Sequence, residues 1–478
     1  MHLRPYQSQI LTEIRQSLAL KERGSVIKLA TGAGKTAIFC TILAGYHKAN
    51  RPAMMLVRGV KLVEQASERL TAMGVPHDIW QGSASEREGN KVVIASVDTL
   101  VARCMPKEGR TTEPLPEAEI LIVDEVHLAR SPGFDWVIGQ YPMAYLAGFS
   151  ATPNHPRGFE DIADKIISPI GIKDLIGQGY LVGGKYFVPE IPDLQGVKKT
   201  AGDFNEKQLS EVMIDGRKTH NAAKVWSENC QGKPTLVYAC TVAHAEALWE
   251  AFDAVGATAQ VLVGDTKKLT RNQAIRELES GALDVIISVG VLTTGVDIPA
   301  LKAIICSRPT ESYNLWVQIL GRGTRIYPGK THFDVYDLAG NLITHGTIED
   351  EKESYLNAEV AKKAKKEKNG KILAICQKCY ATFEFTGQTK CISCDADLVQ
   401  LRKKKVGKRI NKIGEHSDVK EYVKQEWEHY FDEVLKKAVD RGWKKGSVFY
   451  QMQEKFGQSI AEKAFNKVRG RKWNTKNG

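Results

Sequence analysis

The chain has 478 residues, 42% hydrophobic and 26% charged, and carries a net charge of +11. That length exceeds what one hydrophobic core organises, so about two to four domains are expected, and no apolar run reaches the ~18 residues of a membrane-spanning helix. The opening MHLRPYQSQI lacks the apolar stretch of a signal peptide, which points to a cytoplasmic location. The charge is uneven: residues 361–478 hold 29 Lys/Arg against 14 Asp/Glu, and the body before them holds 38 against 42. A basic appendage on a near-neutral body points to a polyanionic partner, with a merely solubilising tail as the plainer alternative.

From residue 1 to 170, short apolar runs alternate with amphipathic stretches. SVIKLA, AMMLV, KVVIAS, EILIVD and AYLAGFS predict buried strands, and LVEQASERL between them has helical spacing. This alternation predicts an α/β fold with a parallel sheet covered on both faces. The pattern repeats over 171–345, where PTLVYAC, AQVLVG, DVIISV, AIICSR and DVYDLAG predict a second such sheet. The irregular stretch 171–233 is expected to hold the crossover. Residues 346–372 predict a charged linker helix, and 373–400 a cysteine-bearing unit. Residues 401–478 predict a basic helical tail that opens on a flexible strip, LRKKKVGKR. Trp427, Phe431, Trp443, Phe449, Phe456 and Phe465 would form its small core.

ATGAGKT (30–36) lies between the strand SVIKL and the helix TAIFCTILAGYH, the context a phosphate-binding loop needs. Thr31, Gly32, Ala33 and Gly34 would turn backbone N–H groups toward phosphate oxygens at a helix N-terminus. Lys35 would supply a point charge and Thr36 a hydroxyl ligand for Mg²⁺. Leu29 stands where such loops usually begin with glycine. EILIVDEVH ends a buried strand on carboxylates: Asp124 suits a Mg²⁺ shell, Glu125 suits activation of water, and His127 lies along the same edge. In QILGRGTR (318–325), Arg322 and Arg325 are three apart on one helical face, and their forked guanidinium groups suit a phosphoryl group gaining charge. If they come from the second domain, hydrolysis requires the two domains to close.

These boxes, in this order over residues 1–345, resemble those of superfamily 2 helicases. RPYQ (4–7) resembles the adenine-recognising motif, in which Arg4 and Gln7 would meet the base. ATGAGKT, DEVH, SAT (Ser150, Ala151, Thr152), TTGVDIP (293–299) and QILGRGTR resemble motifs I, II, III, V and VI. The resemblance implies two tandem RecA-like domains that hydrolyse ATP with Mg²⁺. It implies that His127, Gly295, Asp297 and Gln318 join the nucleotide site, that Thr293 or Thr294 faces nucleic acid, and that Ser150 and Thr152 couple hydrolysis to movement. The likeness is nearer the DNA repair and restriction-enzyme branch than the RNA DEAD-box branch. At the second box Val60 replaces the usual backbone-binding arginine, so Arg58 or Lys61 would substitute. Ser96 and Thr99 are candidate phosphate contacts at a loop tip.

Cys376, Cys379, Cys391 and Cys394 form a C-x₂-C-x₁₁-C-x₂-C pattern with metal-ligand spacing around ATFEFTG, which reads as a short hairpin. The unit is too small for its own core, so Zn²⁺ would stabilise it, and it resembles a zinc ribbon. Two disulfides are the alternative. Lys403, Lys404 and Lys405 behind it could neutralise phosphates. The terminal segment resembles tails of phage- and prophage-borne helicases. Cys40, Cys104, Cys230, Cys240 and Cys306 are expected to fill cores, and His220 and His244 to lie at the surface or at helix caps. The expected function is an ATP-dependent DNA helicase or translocase, with replication, repair or recombination proteins as possible partners. Its rivals are an RNA helicase of the same fold, a duplex translocase that remodels without unwinding, and an ATP-switched binding protein.

Overall fold

The computed structural model describes residues 3–82, 85–106, 108, 111–200, 202–292, 297–360, 371–398 and 402–405; for residues 60, 61 and 402–405 it describes the backbone alone. The first lobe contains β1 (Gly24–Lys28), β2 (Ala53–Val57), β3 (Asp78–Trp80), β4 (Val92–Ser96), β5 (Ile120–Asp124), β6 (Tyr145–Ser150) and β7 (Lys165–Ile167). Its helices are α1 (Pro5–Ala19), α2 (Lys35–Lys48), α3 (Val60–Ala72), α4 (Val97–Cys104) and α5 (Pro132–Gly139). The strands pair in parallel in the order β3-β4-β2-β5-β6-β1-β7. β2, β4 and β6 are buried along their whole length. Continuous apolar runs are what a strand covered on both faces requires.

After α6 (Ile172–Gly177) comes the second lobe, with β8 (Gly183–Phe187) and a hairpin of β9 (Lys199–Thr200) and β10 (Asp203–Phe204). It continues through α7 (Glu206–Met213), α8 (Gly216–Asn229), β11 (Thr235–Tyr238), α9 (Val242–Asp253), β12 (Ala259–Leu262), α10 (Lys268–Ser280), β13 (Val285–Ser288), β14 (Ala303–Cys306), α11 (Tyr313–Gly323), β15 (His332–Asp337) and α12 (Asn341–His345). Its parallel sheet runs β12-β13-β11-β14-β15-β8. The fold is thus two tandem parallel-sheet α/β lobes, as the alternation implied. Sequence periodicity missed β3, β7 and β8. The first two have three residues each, and β8 begins on two glycines, so none carries a strong apolar run.

The cysteine unit is a three-stranded antiparallel sheet of β16 (Ile372–Ile375), β17 (Thr382–Glu384) and β18 (Arg402–Lys405), in the order β17-β16-β18. Two expectations change here. The hairpin does not lie within ATFEFTG: Thr382–Glu384 pairs with Ile372–Ile375, so the first cysteine pair forms the turn. The strip 401–409 is not wholly irregular, because Arg402–Lys405 pairs with β16. The unit packs on the second lobe, where Phe187 bridges to Ala381 and the Val188 N–H donates to the Tyr380 carbonyl at 3.0 Å. The expected linker helix over 346–372 is corrected in its first part: helix begins at 358–360, and residues 346–357 contain none. Their backbone groups are engaged by side chains of both lobes, which competes with helical pairing. Residues 361–370 and the tail from 406 lie outside the described residues.

Gly148 in β6 shows how tightly the acidic strand end is packed. A Cβ there would stand 2.4 Å from Cγ2 of Val126, the residue after Glu125. Gly148→Ala is expected to lower stability by about 1–3 kcal/mol, and adding Val126→Ala should recover part of the loss; thermal melting of the two variants checks this.

Candidate nucleotide site between the lobes

The phosphate loop leaves β1 and enters α2. Gly32 and Gly34 have φ of 87° and 81°, a left-handed backbone that glycine adopts without strain. The N-terminal segment braces the loop from behind. The Tyr6 hydroxyl donates to the Ala33 carbonyl at 2.7 Å, and Gln7 Nε2 donates to the same oxygen at 3.1 Å. Gln7 Oε1 accepts the Arg4 N–H at 2.9 Å, and the Arg4 guanidinium lies 4.6 Å from the Tyr180 ring centre. Arg4 and Gln7 therefore sit at the loop, but both edges of the Gln7 carboxamide are engaged by protein here. Tyr6 and Tyr180 belong to this brace. No motif marked Tyr180, which comes from the crossover.

Lys35 Nζ stands 3.8 Å from Glu125 Oε1 and 4.0 Å from Asp124 Oδ1. Burial pushes Asp124 up to about 6 against the pull of Lys35. Burial also raises Glu125, but Lys35, His127, a hydrogen bond from Ser150 and Arg322 together bring it below its ordinary value. Glu125 adopts φ +55°, an unusual conformation for a residue with a side chain, and it starts the short turn Val126–Arg130. His127 Nδ1 is 3.0 Å from Ser150 Oγ and 3.3 Å from Glu125 Oε2. Ser150 Oγ also donates to Glu125 Oε2 at 3.4 Å and accepts the Thr152 N–H at 3.1 Å. His127, Ser150 and Thr152 thus form a partly buried relay onto Glu125.

The second lobe reaches this loop through α11. Gly321 lies so close to Thr31 that a Cβ would be 2.8 Å from the Thr31 Cβ, and a Cβ on Gly32 would be 2.3 Å from an Arg325 guanidinium nitrogen. Arg325 Nε donates to Asp297 Oδ1 at 2.8 Å, and Nη1 donates to the Gly321 carbonyl at 2.8 Å. Arg322 is buried, and burial lowers its pKa. A cavity of about 620 Å³ is lined by Thr31, Gly32, Gly34, Lys35, Thr36, Asp124 and Glu125 from one lobe and by Asp297, Arg322 and Arg325 from the other. Gln318, one turn before Arg322, does not line it. Gln65, Glu68 and Arg69 of α3 do line it and were missed. Their helical spacing is their sole sequence signal, and that pattern is common to any solvated face. Lys35 Nζ and Thr31 Oγ1 are buried without a hydrogen-bond partner, which a phosphate group would supply.

The candidate nucleic-acid contacts fare unevenly. Thr293, Thr294 and Gly295 lie outside the described residues, and so do the side chains of Lys61, Lys403, Lys404 and Lys405. Arg58 is exposed, 3.9 Å from Asp98. The loop tip expected at Ser96 and Thr99 is replaced by a strand–helix junction, because β4 runs straight into α4. Both residues are buried, and the Thr99 hydroxyl accepts the Gly82 N–H at 2.8 Å.

The four cysteines of the ribbon converge, with Sγ atoms all within 4.8 Å of one another. Cys376–Cys394 and Cys379–Cys391 are 3.8 and 3.6 Å apart. Four sulfurs ~2.3 Å from one tetrahedral ion would be ~3.8 Å apart, whereas a disulfide needs ~2.05 Å. The five remaining cysteines are buried, and burial raises thiols such as Cys40, to about 11, and Cys306, to about 12, as core filling implies.

The fold and the cavity define a tandem RecA-like protein with a P-loop nucleotide site. Residues 1–155 match the family model "Type III restriction enzyme, res subunit", and residues 218–327 match "Helicase conserved C-terminal domain". The chain is 28% identical over 360 residues to the candidate ATP-dependent helicase IRC3 of Saccharomyces cerevisiae, covering 71% of this chain and 51% of that protein. It therefore spans about half the length of that relative. A fragment of a candidate HsdR subunit of a type I restriction enzyme from Vibrio vulnificus YJ016 aligns with a TM-score of 0.55 and 20% identity, covering 70% of this chain and 64% of that one. The Type ISP restriction-modification enzyme LlaBIII bound to DNA aligns with a TM-score of 0.53 and 16% identity, over 71% of this chain and 28% of that one. The two matched models place a restriction-type helicase domain ahead of a helicase C-terminal domain, the domain pair of superfamily 2 helicases.

The histidine expectation holds, with His220 at the surface and His244 at the N-terminal cap of α9, where its N–H donates to the Thr241 hydroxyl. His244 is also buried, and its Nδ1 accepts the Cys240 N–H at 3.2 Å across the turn between β11 and α9. Burial, with Lys218 nearby, lowers its pKa from 6.5 to about 4. Between those values the folded chain holds fewer protons than the unfolded one, so stability is present above pH 6.5 and falls as pH drops toward 4. At ~1.36 kcal/mol per pH unit the loss is on the order of 3 kcal/mol. Urea unfolding at pH 7 and pH 4.5 is expected to show a smaller drop in His244→Asn than in the unaltered chain.

Proposed function

We propose that this chain is a motor that hydrolyses ATP and uses the closure of its two lobes to move along DNA. The observation that carries it is the shared cavity, in which Lys35, Asp124 and Glu125 face Arg322 and Arg325 from the opposite lobe. Lys35 and the N–H groups of residues 32–36 would grip the β- and γ-phosphates. Thr36 and Asp124 would hold Mg²⁺, which when bound neutralises charge on the phosphate oxygens. The ionised Glu125 would orient a water and take its proton as the water oxygen bonds to the γ-phosphorus. The bond from that phosphorus to the bridging oxygen then breaks, leaving ADP and phosphate. Arg322 and Arg325 would stabilise the charge that develops. An arginine in that role is worth ~10³–10⁵ in rate, or roughly 4–7 kcal/mol of barrier. Because the arginines belong to the second lobe, turnover depends on lobe contact.

DNA as the track is supported by the basic C-terminal charge and by kinship with restriction-enzyme subunits. We read the cysteine cluster as a structural zinc site, because the sulfur spacing suits tetrahedral Zn²⁺ and all four ligands are protein thiols.

Two experiments test this. ATP hydrolysis should rise in the presence of single- or double-stranded DNA more than with RNA, and Lys35→Ala and Glu125→Gln should each cut it by roughly 100-fold or more; stimulation by RNA alone would favour the RNA-helicase reading, and full activity in both variants would remove the site assignment. For the ribbon, Cys391→Ser is expected to lower bound zinc from about one ion per chain and to speed amide exchange in β16 and β17.

A further inference from the structure

Past α12 the chain does not leave the lobes; it runs back across them. Trp316 Nε1 of α11 donates to the Gly346 carbonyl at 2.8 Å, and the Tyr186 hydroxyl of β8 donates to Glu349 Oε2 at 2.7 Å. These contacts bind the start of the segment to the second lobe. Its far end joins the first lobe, where the Phe159 N–H donates to the Leu356 carbonyl at 2.7 Å. Between them, Lys352 is held from both sides. Its N–H donates to the Tyr313 hydroxyl at 3.2 Å, and its ammonium sits 3.8 Å from the centre of the same ring. Its carbonyl accepts Lys28 Nζ at 2.9 Å, and Lys28 also pairs with Glu351 at 3.7 Å.

The two partners of Lys352 are not arbitrary points on the lobes. Lys28 ends β1, three residues before Thr31 of the phosphate loop. Tyr313 begins α11, the helix that ends beside Arg322 and Arg325. One residue thus ties the strand that leads into the phosphate grip to the helix that carries Arg322 and leads into Arg325. The ribbon touches the same segment. Lys371 Nζ lies 2.8 Å from Asp350 Oδ1 and 2.8 Å from Glu384 Oε2 of β17.

We propose that Lys28, Tyr313 and the strap 349–352 are positioning residues for ATP turnover, setting where α11 stands relative to the phosphate loop, and that the ribbon seats this strap through Lys371 and Asp350. This rests on the motor reading above. The strap carries no group into the cavity and acts through α11 and β1. A helix displaced by about 1 Å can cost ~10²-fold in rate. Loosening the strap therefore lowers kcat while leaving the phosphate grip, and with it KM for ATP, largely intact.

The test uses the full chain with Lys28→Met, Lys28→Arg, Tyr313→Phe and Lys371→Met. Amide exchange at Lys352 and Phe159 reads the strap whether or not hydrolysis occurs. Lys28→Met is expected to speed that exchange and to lower kcat roughly 10- to 100-fold, with KM within about twofold and the melting temperature nearly unchanged. Lys28→Arg, which still donates, should restore most of kcat. Tyr313→Phe and Lys371→Met should lower kcat in the same direction, the latter by a few-fold. Faster strap exchange with unaltered kcat would overturn the proposal, as would a loss in which KM, kcat and melting temperature move together and arginine does not rescue. Failure of the motor reading looks different: the unaltered chain would show no hydrolysis at all, while the exchange arm would still respond.

Discussion

The contact between the C-terminal end of α11 and the phosphate loop is the constraint on which the rest of the structure turns. Gly321 rests on Thr31 and Arg325 rests on Gly32, each at a distance that leaves no room for a Cβ. Two elements more than 280 residues apart in the chain therefore meet with a glycine backbone of one against a side chain of the other. Such closeness is possible only where glycine stands on one side of each contact. It places two guanidinium groups at the mouth of a loop whose N–H groups already favour anions. Everything else in the two lobes, from the parallel sheets to the brace of Tyr6 and Gln7, holds the two sides of that contact in place.

The charges gathered there are costly to bury without a ligand. Lys35 and Arg322 oppose Asp124 and Glu125, yet Lys35 makes only long ion pairs and no hydrogen bond. Asp124 and Glu125 are driven apart in acidity by their surroundings: burial dominates the first, and four favourable neighbours outweigh burial at the second. Two adjacent carboxylates with divergent environments can take separate roles, one toward a cation and one toward a water. The relay His127–Ser150–Thr152 adds a polar route from Glu125 into the end of β6. Movement of that strand end would be felt at the carboxylate.

The ribbon and the strap extend the same logic outward. The ribbon is joined to the edge strand β8 of the second lobe and shares an ion pair with the strap, and the strap touches both lobes. The appendage is therefore part of the mechanical frame around the cavity. Its basic strand β18 lies on the outer edge of the small sheet, away from β17.

Local chemistry is what the amino-acid order alone determined. Glycines at 32 and 34 with Lys35, a strand ending on Asp124 and Glu125, and four cysteines in two close pairs each encode their roles within a few neighbouring residues; the paired arginines do so too, although α11 ends at Gly323 and leaves Arg325 just past the helix expected to carry both. Continuous apolar runs likewise marked ten of the sheet strands, because a strand buried on both faces must be apolar throughout. What only the tertiary structure decided depends on residues far apart in the chain. Gln65 and Arg69 look like ordinary surface residues until the fold sets them at the cavity, and Tyr180 until it packs on Tyr6 and Arg4. Ser96 and Thr99 look exposed until a helix follows their strand without a loop. The stretch 346–357 is expected to be helical, yet at Lys352 its backbone is taken by Lys28 and Tyr313, partners that periodicity cannot see because they come from two different lobes.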